Sequence, residues 1–576
     1  MLKILFSFLL CASFTVLLAQ DSDEIKHLME NKRYSSAEKI LEEKVQSGDD
    51  SPEYNYLLVS AYLQQDKPYE AKNFIENKNL MEGGNDNPLN KIAYASYLLR
   101  TDQSEKAKQI FEELLADKKT KKNVALLLKI ADAYISNGDK YINDALSVLD
   151  IAEKRDKHNA SVQVLKGNAY RKIHDGSNAY VAFQSALKDD PSNIAAHYQL
   201  GKIFVTQKAE DLYMEQFNKA YALDSNYAPV LKAFYDHYYY KDLKLAKAYL
   251  EKYIRHTDYS VENDYALADM YYLNKDYDKA IDLAKNILEG ENDKAQPRLY
   301  KMIAYSYNEI GNKEEAWTNL QQYFAKEDPK NFVSKDYEFK AKLLMDQPDK
   351  MNEALANYEK AFALDSLDER KLDYATKIAE GYKELKEFNS QAIWLGKIYE
   401  LKKDRTNVDL FNWGLAHFKG GDNIMADSVF RRYIEMYPEN IYGYYWNAQV
   451  NAAIDTSLEL GLAIPYYKKI IEIGETDTSA NKAMLLKAYG YLGGYEANTK
   501  KDYPASLAYF EKFLELDPEN EDANKYAEIL KNWIENPETN PANTSSASEE
   551  EKENQDMKED SDKEKQDTKK NKEGND

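Results

Sequence analysis

The apolar positions of this chain fall on helical spacing, and the spacing then repeats at a fixed distance. Gly167, Tyr170, Ala179, Phe183 and Ala186 align with Gly201, Phe204, Tyr213, Phe217 and Ala220, every pair thirty-four residues apart. Ala246, Leu250 and Tyr253 stand thirty-four before Ala280, Ala284 and Ile287, and Ala316, Leu320 and Tyr323 follow after a small insertion. A small residue followed by apolar or aromatic ones four and seven positions on marks one face of a helix. The ending returns as Ala426, Phe430, Tyr433, Pro438 and as Ser506, Phe510, Phe513, Pro518. Ala37 with Leu41, Ala107 with Phe111 and Leu114, Ala354 with Tyr358 and Ala361, and Ala463 with Tyr467 and Ile470 are further members. The pattern predicts about fourteen helical pairs between Asp21 and Glu535.

One helical pair cannot bury its own apolar face, so neighbouring pairs must stack, and stability becomes a sum of unit and nearest-neighbour contributions. The period and the small-Tyr-Ala-Phe-Ala-Pro pattern resemble the tetratricopeptide repeat (TPR) family. The resemblance covers nearly all of the chain after its first twenty residues. It implies an all-α fold, a right-handed α-solenoid of tandem helix-turn-helix repeats with a concave groove lined by the first helix of each pair. The expected organisation is a signal peptide over 1–19, the solenoid over 20–518, a capping helix over 519–535 and a disordered charged tail over 536–576. Lengthened turns such as "SNGDKYIND" and "NAAIDTSLELG" interrupt the period.

The chain holds 48 tyrosines, and six lie in "FYDHYYYKDLKLAKAYLEKYI", residues 234–254. Leu231, Phe234, Tyr235 and Tyr238 share one helical face and are expected in the core. Lys232, Asp236, Tyr239 and Tyr240 follow helical spacing, at i, i+4, i+7 and i+8, on another side of that helix. In the family that side faces the groove, and neighbouring units place Tyr198 and Lys202, then Tyr265, Asp269 and Tyr272, then Arg298, Lys301 and Tyr305 on the equivalent stripe. A tyrosine-rich, mixed-charge groove suits a protein or peptide ligand, because tyrosine supplies large amphipathic contact area. Tyrosine on an ordinary solvated face is the competing reading of each single residue. The family's clamp for chaperone C-termini needs a lysine four residues before an asparagine; the corresponding stripe reads Val164, Asn168, Arg171, so that function is not carried over.

Charge and composition narrow the function classes. A net charge of −22 argues against nucleic acid, whose phosphates require a basic surface. The first twenty residues, "MLKILFSFLLCASFTVLLAQ", read as a cleaved secretory signal, with an uncleaved anchor as the alternative. Cys11 is the only cysteine, so a chain cut after it has neither disulfide nor thiolate chemistry. The seven histidines are scattered without ligand spacing, and no catalytic or phosphate-binding motif is present, so no metal, no cofactor and no enzymatic activity are expected. The "LLAQ" ending and the stretch "YPENIYGYYWNAQVNAAIDTSLELGLAIPYYKKIIEIGE" resemble secreted tetratricopeptide proteins of Bacteroidota, which implies the periplasm, with no membrane span after cleavage and with association with the outer membrane open. Three readings remain: an envelope scaffold that holds a protein partner, an accessory glycan or nutrient binder, and an assembly or secretion factor for outer-membrane proteins. Asp365-Ser366-Leu367 matches the Asp-Ser/Thr-aliphatic pattern that this lineage uses for O-glycosylation, with Ser366 as acceptor.

Overall fold

In the computed structural model the described residues are 23–49, 51–81, 86–347 and 349–540. The predicted signal peptide and residues 541–576 of the expected tail lie outside them. Among the described residues the chain is helical throughout, with no strand. They divide into two compact units between Lys326 and Glu327.

The first unit contains nine helical pairs: α1 (23–30) with α2 (Tyr34–Gln46), α3 (Pro52–Gln64) with α4 (Pro68–Asn77), α5 (Pro88–Arg100) with α6 (Ser104–Ala116), α7 (Val124–Ser136) with α8 (Ile142–Arg155), α9 (Ala160–Lys172) with α10 (Gly176–Asp189), α11 (Ile194–Thr206) with α12 (Glu210–Leu223), α13 (Ala228–Tyr238) with α14 (Leu243–Arg255), α15 (Val261–Leu273) with α16 (Tyr277–Glu291), and α17 (Arg298–Glu309) with α18 (Lys313–Lys326). The second contains five: α19 (Ser334–Met345) with α20 (Met351–Leu364), α21 (Asp368–Glu384) with α22 (Phe388–Leu401), α23 (Asn407–Lys419) with α24 (Asn423–Met436), α25 (Ile441–Ile454) with α26 (Ile464–Gly474), and α27 (Thr478–Tyr495) with α28 (Tyr503–Leu516). A lone helix, α29 (Glu521–Glu535), comes after them.

The repeating residues are buried. Ala179, Phe183 and Ala186 of α10, Ala280, Ala284 and Ile287 of α16, and Ala426, Phe430 and Tyr433 of α24 all lie in the core. Small residues on the first helix allow the second to approach. A Cβ built on Gly201 would stand 2.3 Å from the Phe217 ring, and one on Gly167 would stand 2.4 Å from Phe183. The thirty-four-residue phase is thus a packing phase: glycine on one helix receives a ring from the next.

The turn inside each pair also repeats. His174 is left-handed (φ 60°), its N–H bonds the Arg171 carbonyl at 3.1 Å, and the Asp175 N–H bonds the Tyr170 carbonyl at 2.9 Å. These two bonds form a Schellman ending, which satisfies carbonyls that the helix leaves open. The six-residue bond recurs from Arg33 to Leu28, Ala209 to Phe204, Asp276 to Tyr271 and Asp422 to His417. The Asp175 carboxylate then caps α10 by accepting the Asn178 N–H at 3.0 Å. A longer turn is organised by one buried acid, as Asp455 accepts N–H groups from Leu460, Gly461 and Leu462 at 3.3, 2.6 and 3.3 Å.

Two boundaries differ from expectation. α13 stops at Tyr238 with Tyr239 as its C-cap, which keeps helical dihedrals and bonds its N–H to the Tyr235 carbonyl at 3.0 Å, so Tyr240 is the residue that stands in the turn instead of on the helix. The Asp242 N–H bonds the Tyr238 carbonyl at 2.8 Å, and the Asp242 carboxylate opens α14, which leaves no room for another helical turn. At the C-terminal end, residues 536–540 belong to the folded part: Pro537–Thr539 is a 3-10 turn and Asn540 is buried. α29 covers the final pair through Ala523, Ala527 and Leu530, with Trp533 edge-on to Tyr503 at 5.2 Å.

Candidate functional site

The anticipated stripe of α11 to α17 is largely satisfied by its own members. Lys232 and Asp236 form an ion pair one turn apart, and the Lys232 ammonium lies 5.0 Å from the Tyr235 ring. Arg298 donates to Asp269 at 2.8 Å and stands over the Tyr265 ring at 5.1 Å, while the Tyr265 hydroxyl accepts the Gln296 N–H at 2.9 Å. Tyr265 is buried, contrary to its expected place on an open groove, because Arg298 covers its face and the turn before α17 covers its hydroxyl. Lys301 donates to the Tyr323 hydroxyl at 3.2 Å, and Tyr272 packs against Tyr277 at 5.9 Å. Tyr198 is wedged between Phe217 and Tyr227, with centroids at 6.0 and 5.9 Å. Lys202 and Tyr305 are partly buried.

Tyr239 and Tyr240 are in edge contact at 4.7 Å, and Tyr240 is 92% exposed. The Tyr239 hydroxyl is pushed above its ordinary pKa by burial, then by Asp269 and Tyr240, against the opposing pull of Arg298. The end of α13 stands beside α15, where Tyr239 shares an apolar cluster with Ala266, Leu267 and Met270. Tyr240 is its protruding member.

A second and deeper feature lies in the earlier pairs. Helices α1, α3, α7, α9 and α11, each the first of its pair, line a chamber of about 970 Å³. Its charged lining comprises Lys26, Lys32, Lys129, Arg171 and Lys172 against Glu30 and Asp132, with Lys26, Lys32 and Lys172 exposed at its edge, a basic lining in a chain of net charge −22. Lys129 is already committed: it reaches Glu53 at 3.2 Å and lies 4.0 Å from the Tyr56 ring centre. Arg171 donates only to the amide oxygen of Gln199, and no carboxylate pairs with it among the described residues. Burial pushes its pKa down, as expected for a guanidinium removed from water without a counter-charge. Beside it the amide oxygen of Asn168 is buried without a hydrogen-bond partner. Burial also holds the Asp132 carboxyl above its ordinary value, against the pull of Lys129, and burial first, then Asp132, raises Tyr34 and Tyr56.

The signal for this chamber was present in the period. Counting back thirty-four from Tyr198 and Lys202 gives Val164 and Asn168, both of which line it. Arg171 lies one turn further along α9. What the period could not supply was the facing wall, because Tyr34, Lys26 and Glu30 reach the same space from a hairpin about 130 residues earlier.

The chain also returns to its own beginning. The N-cap residue of α2, Arg33, makes no side-chain cap. The open N–H groups of Ser35 and Ser36 donate instead to the Asp258 carboxylate at 2.7 and 3.2 Å, and the Ser36 hydroxyl donates to it at 2.6 Å. Arg33 approaches the same carboxylate at 3.9 Å. On the facing turn, Asn31 accepts the Ala228 N–H at 2.9 Å. Among the described residues no group of three or more His, Cys, Asp or Glu side chains could hold a metal ion, and no helix is long and apolar enough to cross a membrane.

Stacked helical pairs with a repeated Schellman turn define an all-α tandem-repeat protein. No family model matches the chain, and no curated protein matches it. Similar solved structures include the C-terminal part of a TPR repeat-containing protein from Cytophaga hutchinsonii, 28% identical over 45% of this chain and 97% of that one, with a TM-score of 0.28. A tetratricopeptide repeat protein from Parabacteroides merdae is 15% identical over 44% of this chain and 97% of its own, with a TM-score of 0.26. The APC/C hetero-tetramer Cut9-Hcn1 is 13% identical over 85% of this chain and 98% of its own, also with a TM-score of 0.26.

Proposed function

We propose that the protein is a non-catalytic scaffold of the bacterial cell envelope that holds an acidic segment of a protein partner in the chamber of its first unit. The observation that carries this reading is the local charge: a net-acidic chain lines an open cavity with more cations than anions, and one of the cations, the half-buried Arg171, has no carboxylate partner among the described residues. A carboxylate entering there would supply the missing counter-charge and could meet the Arg171 fork in two parallel hydrogen bonds. The volume falls in the range of cavities that enclose small ligands, so the chamber suits a few residues of chain rather than a folded domain.

Titration of a fluorescein-labelled hexaglutamate peptide tests the reading. Arg171→Gln is expected to weaken binding by at least about tenfold, equivalent to about 1.4 kcal/mol. Wild-type affinity should fall as salt rises, because the attraction is partly screened. Unchanged affinity in Arg171→Gln would overturn it.

The stripe around Tyr239 and Tyr240 is a second surface of the same proposal, supported by the exposure of Tyr240. Affinity capture from envelope extracts with Tyr239→Ala and Tyr240→Ala together should lose the partner while helicity is retained. A captured polysaccharide would favour the nutrient-binding reading, and a captured outer-membrane protein the assembly reading. Export is part of the proposal, and N-terminal sequencing of protein from its native host should begin at or near Gln20.

A further inference from the structure

We propose that the N-terminal hairpin, α1 with α2, is a hinged wall of the chamber, held closed by Asp258 as a positioning residue, and that ligand enters when it opens. What enters rests on the chamber reading above; the hinge rests on the contacts themselves. The hairpin supplies Lys26, Met29, Glu30, Lys32 and Tyr34 to the chamber lining, so closure completes the site.

Its two sides are held by different chemistry. Toward α3 and α5 the hairpin is joined by apolar packing, since Ile25, Leu28, Ala37 and Leu41 belong to one buried cluster with Leu58, Ile92 and their neighbours. Toward the turns that begin α13 and α15 the contacts are polar: three hydrogen bonds to Asp258 and one from Ala228 to Asn31. The apolar clusters around Tyr227 and Leu250 contain no hairpin residue. Of these bonds the one from Ser35 is exposed, the two from Ser36 are half-buried and only the Ala228–Asn31 bond is buried. Hydrogen bonds without an apolar cluster around them open more readily than a packed core, so the hairpin should swing on its α3 side and release at Asp258.

Asp258 also explains a local oddity of α2. A helix needs acceptors for its first N–H groups, and its dipole favours an anion there. Here the anion comes from over 220 residues away, so the Ser35 and Ser36 N–H groups at the start of α2 have it as acceptor only when the turn is closed.

The test uses the chain from Gln20 onward, which contains no cysteine. Spin labels at Lys39→Cys and Lys244→Cys, both exposed, report the distance between the hairpin and α14. The parent should give one narrow distance distribution. Asp258→Ala should broaden and lengthen it and speed exchange of the Ser35 and Ser36 amides by about tenfold or more, while amides of α9 and α11 stay protected. Asp258→Asn, which keeps one acceptor oxygen, should fall between. An unchanged distance in Asp258→Ala, or loss of helicity in both variants, would overturn the hinge. In the same chains, hexaglutamate should associate faster with Asp258→Ala than with the parent; an unchanged association rate would overturn entry by this route. If the peptide binds neither chain while the distance shifts as expected, the acidic-ligand reading falls and the hinge stands.

Discussion

At the scale of single residues, the repeat is enforced by what cannot be enlarged and by what cannot be neutralised. Gly201→Ala would drive a methyl group into the Phe217 ring, so a loss of about 1–3 kcal/mol is expected in urea unfolding, with Phe217→Leu in the same chain recovering part of it. Asp365 is buried and accepts from Arg370 at 2.7 and 2.9 Å, from the Ser334 hydroxyl at 2.7 Å and from the Leu367 N–H at 2.9 Å. Arg370 first, then the Leu367 N–H and the Ser334 hydroxyl, hold its carboxyl well below the usual range against the opposing effect of burial. A carboxylate depressed in this way contributes its full stability above its unfolded value of about 3.9 and loses it as pH falls toward the folded value. Melting temperature of the parent should therefore fall below about pH 4 more steeply than that of Asp365→Ala, which starts lower by on the order of 2 kcal/mol. The same geometry bears on Ser366. Ser366 and Leu367 are exposed but the Asp365 side chain is not, so an enzyme that reads all three residues must act before this turn folds. Intact-mass analysis of the native protein tests for the modification, and an unmodified mass ends the idea.

At the scale of elements, position in the stack decides what a helix can lose. α29 has one packed side, where Ala523, Ala527 and Leu530 meet the last pair and Trp533 meets Tyr503. Truncation after Asp517 should uncover Phe510 and Tyr503, and light scattering on mild heating should show aggregation below the melting temperature of the parent. α13 shows the opposite case, a helix cut short by the turn into α14. Asp242 is committed to opening α14, so the helix ends at its C-cap Tyr239 and Tyr240 projects into solvent.

At the scale of the whole molecule, each compact unit carries its own pairs and its own core. Fragments 20–326 and 327–540 should each show helical circular dichroism and a cooperative transition, because stability in stacked repeats is local. A fragment that stays unfolded alone would show that the division at Lys326 is not an energetic one. Deleting 541–576, which supplies almost no apolar side chain, should leave the melting temperature within about 1 °C, since it removes no group able to offset the entropy of docking.

The period of thirty-four was legible because it is written in residue size, and size acts locally: Gly167 with Phe183 and Gly201 with Phe217 meet across adjacent helices, sixteen residues apart. Helix identity, pair order and the buried face arise from such short-range terms. The stripe was legible only in part, since Arg298 with Asp269 and the turn before α17 with Tyr265 depend on how neighbouring pairs rotate, which helical spacing alone leaves open. The chamber and the Asp258 contact were decided by tertiary structure. They join residues 31–36 to 228 and 258, and nothing in a local pattern of polar and apolar positions states how far the stack turns before it meets itself. That angle accumulates from small rotations between pairs, each set by side-chain volumes at an interface. The sequence therefore determined which surfaces pack, and only the folded chain determined which surfaces face one another across empty space.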